Sequence, residues 1–213
     1  MPQTLDFVRD CGEKWGVDIV WLEYAGKKQF KKVGYKTASR AGEPFAQLID
    51  DKRYLPNMVA RFCTSELKVL TIQRYMATDT FLTVVGIRAD EPRRVTKMRT
   101  KDDYAVPMAD DGIGEHDIKE FWQKHSFDLA MPPAGVNILS NCDLCFLKGY
   151  GIKQSIVSQN TNIADWWIEQ ENKINASFRS DQPSYKQMKV IATDQGNLFD
   201  MPDDETIPCF CGD

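Results

Sequence analysis

The sequence predicts an α/β fold in which helices cover a parallel sheet. Amphipathic helical patterns alternate with short apolar runs, and this order is typical of parallel strands joined by helical crossovers. Two of the runs, VDIVWLEY at residues 17–24 and FLTVVGIR at residues 81–88, are rich in β-branched and aromatic side chains. Apolar runs of this length predict strands that are buried on both faces.

The N-terminal part of the chain predicts a helix ahead of the first strand. Leu5, Val8, Cys11 and Trp15 recur at helical spacing, and Gly16 is a suitable stop. Cys11 lies on the apolar face of this helix, so we interpret it as a small buried hydrophobic residue. The elements predicted between the two strands are a lysine-rich loop or edge strand at 27–36, a short helix at 44–54 and a longer helix at 63–77.

After the second strand, the pattern becomes mainly helical. Residues 89–101 are charged and contain a proline, which predicts a loop. Apolar residues at helical spacing predict a helix over residues 116–125 and further helices over residues 146–177. The last segment, 194–213, has six acidic and no basic side chains, which is typical of a tail without a core of its own.

Two clear strands are too few for a parallel sheet, because their apolar edges would stay unpaired. Either weaker strands lie at residues 33–37 and 104–108, or part of the sheet lies outside this chain. Both alternatives imply a sheet larger than the two clear strands.

Composition and charge limit the functional classes that fit the chain. Of 213 residues, 42% are hydrophobic, and 5 Trp, 11 Phe and 7 Tyr provide enough aromatic area for a folded core. Lys and Arg number 27 against 31 Asp and Glu, which excludes a generally basic nucleic-acid coat. No apolar stretch reaches the roughly 18 residues that cross a bilayer, and the N-terminus has no signal pattern. We therefore expect a cytoplasmic protein that does not contact membranes.

The six cysteines carry the strongest chemical signal. They are Cys11, Cys63, Cys142, Cys145, Cys209 and Cys211. Without an export signal, metal or redox chemistry is favoured over disulfides. Cys142 and Cys145 have the spacing with which two thiolates bind one metal, and Cys63 and one thiol of the closing CFC motif are candidates for the two further ligands. Ordinary buried thiols and a thioredoxin-type dithiol are the alternatives.

Five segments, taken in their order along the chain, resemble the phosphoadenosine phosphosulfate (PAPS) reductase family of the adenine nucleotide alpha hydrolase superfamily. They are RFCTSELK, VVGIRADEPRR, VPMADDGIGEHDIKEFW, NCDLCFLKG and the C-terminal CFCGD. The chain is most similar to the bacterial and phage branch of that family. The resemblance implies a Rossmann-like nucleotide-binding core over residues 1–145, followed by a small helical region and an acidic, cysteine-bearing tail over residues 146–213.

The resemblance also implies a [4Fe-4S] cluster, with zinc as the alternative metal. Cys63, Cys142 and Cys145 match the family's cluster-binding cysteines, but the family has a double cysteine where this chain has Cys63 alone. A tail thiol would then supply the missing ligand. We assign Cys211 as that ligand and Cys209 as the catalytic nucleophile.

Basic residues near the second strand are implied as the substrate-binding residues. They are Arg61, Lys68, Arg88, Arg93 and Arg94. Planar guanidinium groups bind phosphate or sulfate bidentately, and ligands of open α/β sheets lie at the carboxyl ends of the strands. The expected partners are an adenine nucleotide or sulfonucleotide and a reductant protein.

One motif of the superfamily is absent from these 213 residues. The SGGxDS loop, whose N–H groups bind phosphate, normally follows the first strand, so the first unit of the core is missing here. A second chain that supplies this loop is therefore a further candidate partner.

The resemblance predicts a protein that reduces a sulfonucleotide and releases sulfite. Cluster-dependent sulfur transfer to nucleic acid, or another modification of nucleic acid, is one alternative and would use the lysines of residues 27–36. A non-catalytic, metal-bearing interaction module, or one part of a split enzyme, is the other.

Overall fold

The computed structural model describes residues 2–78, 80–129 and 142–194 and shows, within them, a mixed α/β protein with two small sheets. The helices are α1 (Pro2–Trp15), α2 (Glu43–Lys52), α3 (Phe62–Thr64), α4 (Leu70–Tyr75), α5 (Pro92–Arg99), α6 (Pro107–Asp110), α7 (Glu115–Gln123), α8 (Tyr150–Gln159), α9 (Asp165–Ile174) and α10 (Tyr185–Asp194). The strands are β1 (Trp21–Tyr24), β2 (Phe30–Val33), β3 (Thr83–Val84) and β4 (Tyr104–Ala105). Among the helices of these ranges, none has the length and apolar character that a membrane crossing requires.

β1 and β2 form an antiparallel hairpin rather than part of a parallel sheet. Trp21 lies opposite Val33 in the register of this hairpin. Gly26, in the connecting turn, has a φ of 104°, which glycine adopts without the steric cost that a side chain brings. The prediction of a doubly buried strand over residues 17–24 is therefore wrong, since the observed strand is shorter and pairs with the lysine-rich segment.

β3 and β4 form a parallel pair, as the sequence predicts, but the doubly buried strand predicted over residues 81–88 is wrong, since β3 has two residues and Val84 is 62% exposed. Residues 83–84 lie beside residues 104–105 in this pair. The weaker strand expected at 104–108 is thus confirmed in its first half, whereas the one expected at 33–37 is wrong because β2 ends at Val33. The two sheets together make the topology mixed rather than purely parallel.

The charged segment after β3 forms helix α5 instead of the predicted loop. Pro92 occupies the first turn, where its fixed φ suits a helix and its missing N–H costs nothing. Val95 and Met98, three residues apart, are buried in a cluster with Ile87 and Val106. Two apolar positions on one face are thus enough to hold this short helix, although charges dominate its sequence.

α1 packs against α7 through aromatic side chains. The ring centroids of Phe7 and Trp15 lie 5.1 and 5.7 Å from that of Trp122. The Asp117 carboxylate accepts the N–H of Gly114 at 2.8 Å and so caps the start of α7. Both helices lie where helical spacing predicts them.

The main core is formed by α8, α9, α10 and the segment around Cys145. Trp167 of α9 packs its ring against Phe178 and Tyr185, and α2 joins the same core through Phe45. The domain boundary predicted after Cys145 therefore falls inside one apolar cluster.

α3, a π-helical turn (Ser65–Val69) and α4 form one continuous segment, which we call the composite helix. The sequence predicts it as one regular helix. In the π-helical turn the Thr71 hydroxyl donates to the Glu66 carbonyl at 2.7 Å. The Glu66 carboxylate accepts from Lys52 at 2.8 Å and from Arg74 at 2.9 Å, which holds the turn against α2.

Candidate metal centre

The CxxC pair lies in two successive turns at the edge of the main core. The N–H of Cys145 donates to the carbonyl of Cys142 at 3.2 Å, and the N–H of Lys148 donates to the carbonyl of Cys145 at 2.9 Å. Cys145 is 7% exposed, whereas Cys142 is exposed. The pair therefore offers one thiol inside the core and one at its surface.

Contacts from the C-terminal helices fix the backbone of this cysteine turn. The hydroxyl of Tyr185 donates to the carbonyl of Leu144, and Arg179 donates to the carbonyl of Phe146 at 3.4 Å. The ring of Phe146 stacks on that of Phe178 with centroids 6.0 Å apart. Burial raises the pKa of Tyr185, so its hydroxyl keeps the proton that this bond needs.

Cys63 belongs to the composite helix and is half-buried. Its side chain packs against the main core, which is the cluster that contains Cys145. In the part of the chain that the structure describes, no group of three His, Cys, Asp or Glu side chains is arranged to hold a metal ion. Cys209 and Cys211 lie outside the described residues, so the convergence of Cys63, Cys142 and Cys145 with a tail thiol stays a prediction.

Cys11 is separate from this region, in α1. It is half-buried, and burial is the main cause that raises the pKa of its thiol. A protonated thiol of this kind agrees with the interpretation of Cys11 as a small hydrophobic residue.

Two buried lysines lie close to the cysteine turn, and the sequence analysis did not single them out. Lys148 donates to the carbonyl of Asp143 at 2.8 Å, and Lys153, which is 1% exposed, donates to Gln182. Burial lowers the pKa of both amines, to about 8 for Lys153. The sequence contains one signal for this site, which is the position of Lys153 among the apolar residues of α8. A buried lysine is rare unless it is paired, so this position indicates a partner.

A buried carboxylate completes this polar group. Glu171 accepts the N–H of Phe178 at 3.1 Å and that of Tyr185 at 3.1 Å. Burial raises the pKa of Glu171, while the two N–H donors and Lys153 act in the opposite direction. The cysteine turn is therefore held next to fixed charges of both signs.

We expect the stability that Lys153 contributes to rise with pH between about 8 and 10.5, its pKa values in the folded and unfolded protein. The groups that face this amine are Cys145, Glu171, Arg179, Asp181 and Tyr185. In this range the unfolded chain binds more protons than the folded one, so deprotonation removes a burial penalty of roughly 3 kcal/mol. Urea unfolding of the wild type and Lys153→Met at several pH values measures the effect.

The matched control for that measurement is Lys186→Met, at an exposed lysine of α10. Its free-energy difference from the wild type should stay constant over the same pH range. A constant difference for Lys153→Met as well would contradict the expected protonation change.

The predicted substrate-binding arginines lie around the start of α5, in contact with carboxylates. Arg88 donates to Asp90 at 2.8 Å, and Arg94 pairs with Glu91 at 2.7 Å. Arg93 is exposed. An incoming phosphate or sulfate would therefore compete with carboxylates for two of the three guanidinium groups.

The other two predicted substrate-binding residues lie on or beside the composite helix. Arg61, just before α3, donates to the carbonyl of Met58 at 3.3 Å. Lys68 is exposed and lines a groove next to β3. α5, which carries Arg93 and Arg94, contributes Val95 and Met98 to a different apolar cluster from that of the cysteine turn.

Comparison with known proteins yields one phage relative. The chain is 27% identical over 161 residues to the uncharacterized nin region protein ORF290 of Escherichia phage lambda. The match covers 69% of this chain and 52% of that protein, so the chain spans about half the length of the relative. No protein-family profile and no solved structure matches the chain.

Proposed function

We propose that this chain is a PAPS reductase-like iron-sulfur protein that acts on an adenylated nucleotide or sulfonucleotide. The observation that carries the proposal is the rigid cysteine turn, with Cys145 buried in the core against which Cys63 packs. The parallel pair β3–β4, with α5 between its strands, supports the proposal, because parallel strands joined by a helix are the unit of a Rossmann-like core.

The proposed cofactor is a [4Fe-4S] cluster held by Cys63, Cys142, Cys145 and Cys211, with zinc as the alternative. Cysteine thiolates fit either the iron-sulfur cluster or zinc, because both bind thiolate ligands well. Thiolates carry negative charge into the edge of the core, and the nearby ammonium group of Lys148 favours their ionised form.

The proposed reaction is the two-electron reduction of a sulfonucleotide. The Cys209 thiolate attacks the sulfonyl sulfur, so that an S–S bond forms, the S–O bond to the nucleotide phosphate breaks and the nucleotide leaves. A thiol of a reductant protein then attacks Cys209, which releases sulfite and leaves a disulfide for a second reductant thiol to open. Arg88, Arg93 and Arg94 would bind the phosphate or sulfate groups of the substrate.

The experiment that tests the proposal is anaerobic purification followed by iron and acid-labile sulfide analysis. We expect about four irons and four sulfides per chain. One zinc and no sulfide would refute the cluster but keep the thiolate site. A metal-free protein would refute both.

A sulfite-release assay with PAPS and a dithiol reductant tests the reaction separately. A metal-loaded protein that releases no sulfite would contradict the reductase and favour the non-catalytic module. Binding of nucleic acid in place of the nucleotide would favour the sulfur-transfer alternative.

A further inference from the structure

A groove of about 440 Å³ lies between the hairpin and the parallel pair. The residues that line it include Val20 and Leu22 from the hairpin side, Thr83 and Val84 from β3, and Lys68 and Ile72 from the composite helix. Most of these side chains are apolar. The groove therefore separates the two small sheets and has the composite helix along one side.

Among the residues that the structure describes, no strand pairs with the edge of β3 that faces away from β4. The N–H of Thr83 donates to Asp103 at 2.8 Å, and that of Val85 donates to Ala105 at 2.9 Å. Because consecutive residues of a strand direct their N–H groups to opposite edges, the N–H of Val84 is directed away from β4. The side chain of Val84 is also 62% exposed.

Within the described ranges, β2 is likewise the sole strand paired with β1, and the opposite edge of β1 has no strand beside it. The N–H of Ala25 donates to Gln29 at 3.4 Å, and Glu23 lies opposite Lys31 in the register. Residues 23 and 25 therefore direct their backbone groups to β2, and Leu22 directs its own to the opposite edge.

The chemistry of the groove identifies the kind of occupant. Open strand edges need a row of alternating N–H and C=O groups, and only an extended polypeptide supplies them. Exposed, apolar, unpaired edges are avoided in stable proteins, because they are templates for another strand. A compact apolar ligand would cover Val84 and Ile72 but would leave both edges open.

We propose that this groove receives a β-strand from polypeptide that lies outside these 213 residues. One inserted strand with apolar residues toward the composite helix would join the hairpin and the parallel pair into one sheet. The phage relative gives the proposal a source, since nearly half of its length lies outside the match to this chain. The inference does not depend on the metal centre or on the proposed reaction.

Co-expression with the polypeptide encoded by the adjoining DNA, as a separate tagged chain, tests the proposal. We expect the two chains to co-purify, and the amides of Leu22 and Val84 to exchange at least about tenfold more slowly in the complex, measured by NMR. Val84→Pro, which removes the N–H directed into the groove, should abolish co-purification.

The matched control is Lys32→Pro on β2. Lys32 lies opposite Leu22 in the register, so its N–H is directed to the outer edge of the hairpin, and this variant should still co-purify. If a proline variant unfolds, the amide exchange rates of the wild type, alone and in the complex, still test the proposal.

Three results would overturn the proposal. The first is that the adjoining DNA encodes no polypeptide, or encodes a polypeptide that does not bind. The second is that the polypeptide binds but leaves the amide exchange rates of Leu22 and Val84 unchanged. The third is protection of these two amides in the chain alone. Protection that increases with concentration would place a second copy in the groove, and protection that does not would place another part of the same chain there.

Discussion

Replacing Cys145 by serine should remove the metal of the proposed centre while leaving the fold in place. Serine has nearly the same shape, so the packing around Leu144 and Phe146 is retained, but a neutral hydroxyl is a poor ligand for iron or zinc. We expect iron and sulfide, or zinc, to fall from full occupancy to below about a tenth, since a structural site depends on each thiolate. Metal analysis and circular dichroism of the purified variant measure both quantities.

Cys11→Ser is the matched control for that variant. Cys11 is half-buried and lies in α1, outside the cluster that contains Cys145. It should retain all of the metal. Full metal in Cys145→Ser, or equal loss in both variants, would show that the cysteine turn is not the site.

Tail variants extend the same measurement to the fourth ligand. Loss of metal in Cys211→Ser but not in Cys209→Ser is the expected result, and the reverse would exchange their roles. Full metal in both would exclude the tail from the site.

The second large effect is expected in the main core, where Trp167→Ala should lower the free energy of unfolding by about 3–5 kcal/mol. Trp167 is 5% exposed, and its ring contacts those of Phe45, Phe178 and Tyr185. Its removal leaves a cavity where α2, α9 and α10 meet. Urea unfolding monitored by circular dichroism measures the loss.

Trp15→Ala provides the comparison, because Trp15 is 45% exposed at the contact of α1 with α7. We expect a loss of about 1 kcal/mol there. Equal losses in the two variants would mean that the cluster around Trp167 does not dominate stability.

The elements that the sequence predicts well are those with a clear local period. The apolar residues of α1 and α7 keep helical spacing along helices of 14 and 9 residues, so both helices are found where expected. The sequence leaves the segment of β2 open between a loop and an edge strand, and it predicts that of α5 as a loop, because lysine and arginine make up half of each element. Their structures depend on partners elsewhere in the chain, namely β1 for the strand and the Ile87 cluster for the helix.

The candidate site also contains one part that local sequence predicts and other parts that it does not. The CxxC turn follows from a spacing of three residues and could be predicted locally. The burial of Lys153 and Glu171 depends on α8, α9 and the chain before α10 coming together, which no local pattern indicates. Cys63 and the cysteine turn are far apart along the chain. Local spacing therefore does not indicate that Cys63 packs against the core that contains Cys145, whereas the three-dimensional structure shows it.

The π-helical turn has an evolutionary consequence. A π turn contains one residue more than an α turn, so losing a single codon within Ser65–Val69 would turn this stretch into regular α-helix while α3 and α4 keep their relative orientation. Cys63 lies before that turn and Ile72 after it. A change of length at this one place would thus alter the turn whose Glu66 bonds to Lys52 and Arg74, while the faces that carry Cys63 and Ile72 stay as they are.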